Sequence, residues 1–318
     1  MAKSKHKKSE PVAGNDNNSG GYHTSVLLHE SIDALAIKPN GIYIDATFGG
    51  GGHSRAIMAQ LGSEGHLYGF DQDEDAHRNA IDDERFTLVQ ANFRDIKKFL
   101  RLYDVKQVDG ILADLGVSSW QFDTAERGFS YRFDGPLDMR MSQFGELTAA
   151  DILNTYSAEK LHKLFGEYGE LRNAKTFANA VVAARETKPF EVIDDLKTLA
   201  ESNVMGEKMK YLSQVFQALR IEVNDELGAL QDLLKDSVDV LKPEGRLAII
   251  TFHSLEDRLV KNFMKNGNFE DEPEKDFFGN IKRDLKPVNK KPIEASAEEL
   301  KVNNRSRSAK LRVAEKIG

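Results

Sequence analysis

Short apolar runs recur along the first third of the chain, at residues 41–46, 66–70, 86–89 and 108–113, and once more at 246–252. Segments with helical spacing separate them. Continuous apolar runs that alternate with helical patterns predict an α/β fold, a mostly parallel sheet covered by helices on both faces. The rhythm holds as far as Asp114 and then breaks. A long stretch passes before a helix predicted at 215–223 and a Leu241-Lys242-Pro243-Glu244-Gly245 turn into the fifth strand. Between them, helical patterns at 149–154, 158–165, 172–186 and 192–201 are too long and too regular for a loop. They predict an inserted α-helical subdomain over residues 123–213, set in a core made of 21–122 and 214–318. No internal repeat is present.

Composition narrows the class. The chain has 318 residues, 40% hydrophobic and 30% charged, as in an ordinary globular protein. No apolar run approaches the roughly 20 residues that span a bilayer, so no membrane partner is expected. Residues 1–20 are rich in Lys, Ser, Asn and Gly without an apolar centre. They read as a disordered basic tail and not as a secretory signal. Cysteine is absent, which removes disulfides, thiolate zinc sites and cysteine-bound iron–sulfur clusters. It also removes the thiol nucleophile used to methylate carbon 5 of a pyrimidine. A reducing cytoplasm is the expected compartment. The net charge is −7, but from Ile281 onward eleven Lys/Arg face five Asp/Glu, so this segment carries +6 and the remainder −13. A local phosphate-contacting edge is one reading of that segment, and a solvated charged tail is the other.

The densest chemistry lies at residues 43–54, where an apolar strand ending in Asp45 runs into Gly49-Gly50-Gly51-Gly52 and then His53-Ser54 at the start of a helix. A second strand ends in Asp71. Glycines let backbone approach a ligand, a helix start offers free N–H groups, and an acid about 20 residues on can accept from ribose hydroxyls. Both NAD and S-adenosylmethionine (SAM) sites have this form. The other strand ends are polar as well: Gln90-Ala91-Asn92-Phe93 at the third, Asp114-Leu115-Gly116-Val117-Ser118-Ser119 at the fourth, and Phe252-His253-Ser254 at the fifth. Their convergence on one rim predicts an active site.

Asp114 carries the most weight. An exocyclic amine on a nucleobase is a poor nucleophile because its lone pair is delocalised. A carboxylate and a nearby backbone carbonyl, both accepting from the NH₂, favour the pyramidal geometry and the charge that develops on methyl transfer. His253, Ser254 and Asp257 do not make a hydrolytic triad, since no nucleophile elbow precedes them. His23, His29, His53 and His253 lack zinc-ligand spacing, so no metal is expected. His53 stands either against a cofactor or at the end of the turn.

Several longer motifs are more specific than the glycine turn. They are Tyr22-His23-Thr24-Ser25-Val26-Leu27-Leu28, the turn at 47–54, residues 114–121, Arg127-Gly128-Phe129-Ser130 and Asp134-Gly135-Pro136-Leu137-Asp138-Met139-Arg140-Met141. Phe216-Gln217-Ala218-Leu219-Arg220-Ile221, Phe252-His253-Ser254-Leu255-Glu256-Asp257-Arg258 and Arg305-Ser306-Arg307-Ser308-Ala309-Lys310-Leu311-Arg312 follow. In these the chain resembles the RsmH (MraW) family of ribosomal RNA small-subunit cytosine-N4 methyltransferases, over about residues 22–317. The resemblance implies a class I SAM-dependent methyltransferase core, Rossmann-like, with an inserted helical substrate-recognition domain. It implies SAM contacts at Gly51, Gly52, His53, Asp71, Phe93, Asp114 and Gln121, catalysis at Asp114, and methylation of a cytidine N4 in small-subunit (16S) ribosomal RNA. Substrate contacts are expected from Arg127, Asp138, Arg140, His253, Arg305 and Arg307. The expected partner is small-subunit ribosomal RNA or the small ribosomal subunit, and a homodimer is compatible with the chain. Residues 213–215 depart from a more basic family stretch, which puts RNA contacts there in doubt. Two rivals remain: an NAD-dependent oxidoreductase, and a ribosome-assembly factor that uses the fold only for binding.

Overall fold

The computed structural model describes residues 25–318. The expected tail over 1–20 and the first residues of the Tyr22 motif lie outside the described residues. Five strands run parallel in the order β3-β2-β1-β4-β5: β1 (Ile42–Asp45), β2 (His66–Asp71), β3 (Phe86–Gln90), β4 (Val108–Asp114) and β5 (Leu241–Thr251). Beyond β5 come two strands that the apolar runs do not predict. β7 (Lys310–Lys316) is antiparallel to β5, and β6 (Leu285–Pro287) is antiparallel to β7. Their pattern hides inside the basic segment, where Leu311 and Val313 are buried between charged neighbours. β5 also starts earlier than predicted, because its Lys242–Gly245 turn is a bulge with Glu244 at φ 64° and a register shift opposite β4.

Period-two alternation divides the sheet into two cores. Ile44, Phe70, Ile111, Leu247 and Ile249 face one way, with α3 (Ile96–Leu102), α10 (Glu226–Val240) and α11 (Ser254–Asn266). Tyr43, Leu67, Leu112, Ala248 and Ile250 face the other way, with α1 (Leu28–Leu35) and α2 (Gly52–Met58). Two short helices, α4 (Ser119–Asp123) and α12 (Ala297–Val302), lie on loops.

A third core belongs to α5 (Ala149–Thr155), α6 (Ala158–Glu167), α7 (Ala174–Arg185), α8 (Ile193–Ser202) and α9 (Lys208–Asn224). In α7, Ala174, Phe177, Ala178 and Val181 give the buried stripe of an amphipathic helix. Phe177 stands edge-on to both Phe165 and Tyr211. The expected division between residues 213 and 214 falls inside α9 and is corrected here. That helix begins at the Glu207 cap, whose side chain accepts from Met209 and Lys210 N–H, and runs unbroken to Asp225 at φ 46°. Leu212, Val215, Phe216, Ala218 and Leu219 all bury into the helical core, so α9 belongs with the insertion.

Candidate active site

The chain goes from β1 outward to β3 and then returns to place β4 on the other side of β1. At this switch point the strand ends diverge and leave a crevice. Asp45 closes β1 fully buried. Its Oδ2 accepts from Ser54 Oγ at 2.6 Å and its Oδ1 from Thr47 N–H at 3.1 Å, which fixes the glycine turn to the start of α2. Thr47 Oγ1 in turn accepts from Asp114 N–H at 2.6 Å. The turn after β1 and the acid ending β4 are thus one hydrogen-bonded unit.

The four glycines do different work. Gly49 and Gly50 show an open face, since a Cβ would meet nothing within 4 Å at Gly50 and nothing closer than 3.9 Å at Gly49. Gly51 has φ 73°, and a Cβ there would lie 2.6 Å from the Arg55 guanidinium; at Gly52 it would collide with the Ser25 hydroxyl. These last two let the helix start pack closely, and the first two leave room for a ligand.

Asp71 Oδ2 accepts from Gly49 N–H at 2.7 Å and Oδ1 from Asp73 N–H at 2.8 Å. Burial pushes its carboxyl up to about 6 against those two bonds. Phe93 and Asn92 edge the cleft beyond it, together with Gln72, Leu115 and, from the insertion, Met141. An open glycine face, an acid with lone pairs to spare and an aromatic edge fit a nucleoside cofactor.

Asp114 has one carboxylate oxygen, Oδ1, with no partner. Its Oδ2 lies 3.8 Å from His53 Nδ1. His53 is buried, and its Nε2 donates to the Val26 carbonyl at 3.0 Å, which leaves Nδ1 as the nitrogen facing the acid. Burial raises the Asp114 carboxyl to about 6, His53 opposes it, and the charges of Asp45 and Glu256 add to it.

Across the cleft lies a charged group that sequence reasoning passes over. Arg220 donates to Glu226 through Nε at 2.7 Å and Nη2 at 2.9 Å. Glu256 is buried and accepts from Phe252 N–H at 2.8 Å, with His253 Nε2 3.1 Å from its other oxygen. Glu226, His253 and Glu256 are the one set of three or more acid and histidine side chains among the described residues whose ligand atoms all come within 4.8 Å of each other. The Arg220 fork already fills Glu226. Arg220 and Glu256 stand inside motifs that the sequence singles out, but only burial marks them as more than surface charges.

Other expected site residues face protein. Gln121 is buried: its amide oxygen accepts from Ser118 N–H and its nitrogen donates to Asp73 Oδ2 at 2.7 Å. Arg127, expected to contact substrate, is also buried, with Nη1 2.7 Å from Asp73 Oδ2 and Nη2 donating to the carbonyls of Arg140 and Met141. Asp138 and Arg140 pair with each other at 2.7 Å, and Arg140 also donates to the Gly145 carbonyl. These three residues shape the loop from 127 to 145; Arg127 is buried, while Asp138 and Arg140 are each about a quarter exposed. Ser254 donates to Glu170, and Asp257 holds Arg312 at 2.7 Å and Lys310 at 3.7 Å, which agrees with the absence of a triad. With Arg305 on Asp123 at 3.2 Å, three of the four basic residues at 305–312 are ion-paired. Arg305 is half-buried on α4, and Arg307 is exposed and forms no ion pair among the described residues. No helix among the described residues is long and apolar enough to cross a membrane.

The sheet order and the rim at its carboxyl ends define a class I SAM-dependent methyltransferase fold, Rossmann-like, with added helices. The chain belongs to the MraW methylase family, whose sequence profile matches residues 21–317. It is 55% identical over 298 residues to the ribosomal RNA small subunit methyltransferase H of Flavobacterium johnsoniae, covering 93% of this chain and 98% of that protein. The protein of the same name from Parabacteroides distasonis is 56% identical over 298 residues, with 93% and 98% covered.

Proposed function

We propose that this protein transfers a methyl group from SAM to the exocyclic N4 of a cytidine in small-subunit (16S) ribosomal RNA, acting in the cytoplasm on that RNA or on the small ribosomal subunit. The names of its relatives supply the substrate class, and the rim supplies the chemistry. When bound, SAM provides an electrophilic methyl group on a sulfonium. The backbone of Gly51 and Gly52 with His53 would border its methionine part, Asp71 would accept from its ribose, and Phe93 would flank its adenine. Gln121 would act by holding the loop after β4.

The observation that carries the reading is the Asp114 carboxyl at the end of β4, a quarter exposed and tied through its own N–H to Thr47 of the glycine turn. This carboxylate and the Leu115 carbonyl would accept both hydrogens of the target amine and hold it in line for direct displacement. His53 Nδ1 lies 3.8 Å from Oδ2 of this acid. With its carboxyl raised to about 6, Asp114 can also take the proton that the amine loses as the new bond forms. No covalent enzyme intermediate is needed, and a chain without cysteine lacks the usual thiol for one. The helical unit, redrawn as residues 123–224, would recognise the substrate, with the Arg127, Asp138 and Arg140 loop forming one wall of the base pocket and His253 another. Arg305 and Arg307 would meet phosphates.

Single-turnover methyl transfer by Asp114→Ala tests this. The variant is expected to lose methyl transfer by about a hundredfold or more while binding RNA as the wild type does, because the interaction strengthens only as the amine becomes nucleophilic. Transfer near the wild-type rate would remove Asp114 from the chemistry.

A further inference from the structure

Beside the mouth of the site, Arg305 belongs to a group of side chains whose other members are unused by the chemistry above. Phe122 of α4 lies between two guanidiniums, that of Arg132 with Cζ 4.7 Å from the ring centroid and that of Arg305 at 5.6 Å. Arg132 also stands 5.4 Å from the ring of Phe133, which is 44% exposed. A single carboxylate holds both cations. Asp123 Oδ1 is 2.7 Å from Arg132 Nη2, and Oδ2 is 3.2 Å from Arg305 Nη2. Arg305 donates to the Ser119 hydroxyl as well. The three charged side chains are 49%, 34% and 44% exposed for Arg132, Arg305 and Asp123, so water or a ligand can reach them.

This arrangement is poorly explained by stability. Exposed ion pairs contribute little, and exposed cation–π contacts little more. The protein carries 51 acidic residues against 44 basic ones, yet here two guanidiniums share one acid and repel each other. A phosphodiester in place of Asp123 would accept from both arginine forks, and an exposed ring is the surface on which an unpaired base stacks. The group adjoins the loop that starts at Asp114. Arg305 is close enough for its charge to act on the Asp114 carboxyl, so a nucleotide held here would neighbour the target base.

We infer that Arg132, Arg305, Phe122 and Phe133 form a clamp for the RNA nucleotide next to the target, in which the two arginines exchange Asp123 for its phosphate and Phe133 stacks its base. The inference rests on the reading of this protein as an RNA methyltransferase. Asp123 then serves as a stand-in anion that keeps the two arginines together before RNA arrives.

The test uses the full chain titrated with protein-free small-subunit ribosomal RNA at several salt concentrations. Arg132→Ala is expected to reduce the salt slope of affinity by about 0.7, as for one lost single-strand phosphate contact. Phe133→Ala should weaken binding roughly tenfold with the slope kept. Asp123→Asn should strengthen binding, roughly threefold or more, because it removes the competing anion. A purely structural cluster predicts the opposite for Asp123→Asn, which would then bind RNA no better than the wild type or worse. That result, or an unchanged slope in Arg132→Ala, overturns the clamp. SAM affinity and melting temperature report folding, and Arg132→Gln, which removes the charge but keeps a polar side chain, must repeat the slope change. Wild-type methyl transfer to small subunits separates the two failures. If it is present while the variants bind like the wild type, the clamp alone falls; if it is absent, the functional reading falls.

Discussion

At Asp114, burial works against ionisation and His53 only partly offsets it, so the carboxyl sits at about 6 where an ordinary Asp has 3.8. The folded state therefore holds a proton more tightly than the unfolded chain between those two values. Stability from this group rises as pH falls from about 6 to about 4 and is lost as pH rises above 6. Asp114→Asn should thus melt higher than the wild type at pH 8, by roughly 2 °C or more, and this advantage should shrink by pH 5. Equal melting temperatures at pH 8 would show that the charge is not strained. Catalysis needs the ionised acid, so methyl transfer should fall about tenfold per pH unit below roughly 6. Asp71 is raised to about 6 for the same first reason, burial. Asp71→Ala should weaken SAM binding by about 1.5–3 kcal/mol, roughly ten- to a hundredfold, in calorimetry on a folded variant. Unchanged SAM affinity would remove Asp71 from the site.

Among the elements, the joint between insertion and core is made by buried charge. Arg127 reaches Asp73 just beyond β2 with only 10% and 6% of the two side chains exposed. Removing one partner of such a pair leaves an unpaired buried charge, which costs about 3–5 kcal/mol. Arg127→Ala should therefore destabilise the protein in denaturant unfolding by about that much, while Arg307→Ala, on an exposed side chain, should be nearly neutral. If the two variants unfolded alike, Arg127 would not be a structural tie. The sequence misleads here because Arg127 is one basic residue among several in a loop, and burial alone separates it from Arg307. The five parallel strands are legible because both faces are covered, which makes their runs continuously apolar. The insertion is legible from stripes such as Ala174, Phe177, Ala178 and Val181. β7 escapes because Lys310 and Arg312 dominate its composition while their charges are answered by Asp257. The start of α9 escapes because Met209 and Lys210 lie in its solvated first turn. Of the site, the acids at strand ends are legible one by one, whereas the approach of Glu226 to His253 and Glu256 needs the fold to bring α10 and α11 together.

Over the whole molecule, an acidic chain sets two arginines, Arg132 and Arg305, on one shared acid, Asp123, beside the rim. Lys310 and Arg312 are bound inward, Arg307 forms no ion pair among the described residues, and Arg132 and Arg305 flank the turn that starts at Asp114. That distribution suits a nucleic acid held locally over an acidic body. It also separates this reading from a binding-only assembly factor, which would have no use for a strained, unpartnered carboxylate at the cofactor rim. The most direct measurement of the central claim is mass spectrometry of nucleosides from unmethylated small ribosomal subunits incubated with the purified protein and isotopically labelled SAM. The account predicts labelled N4-methylcytidine in the small-subunit RNA, lost with Asp114→Ala. Label on carbon 5 of cytidine, label on another nucleoside, or no label beside a positive SAM-binding control would contradict it.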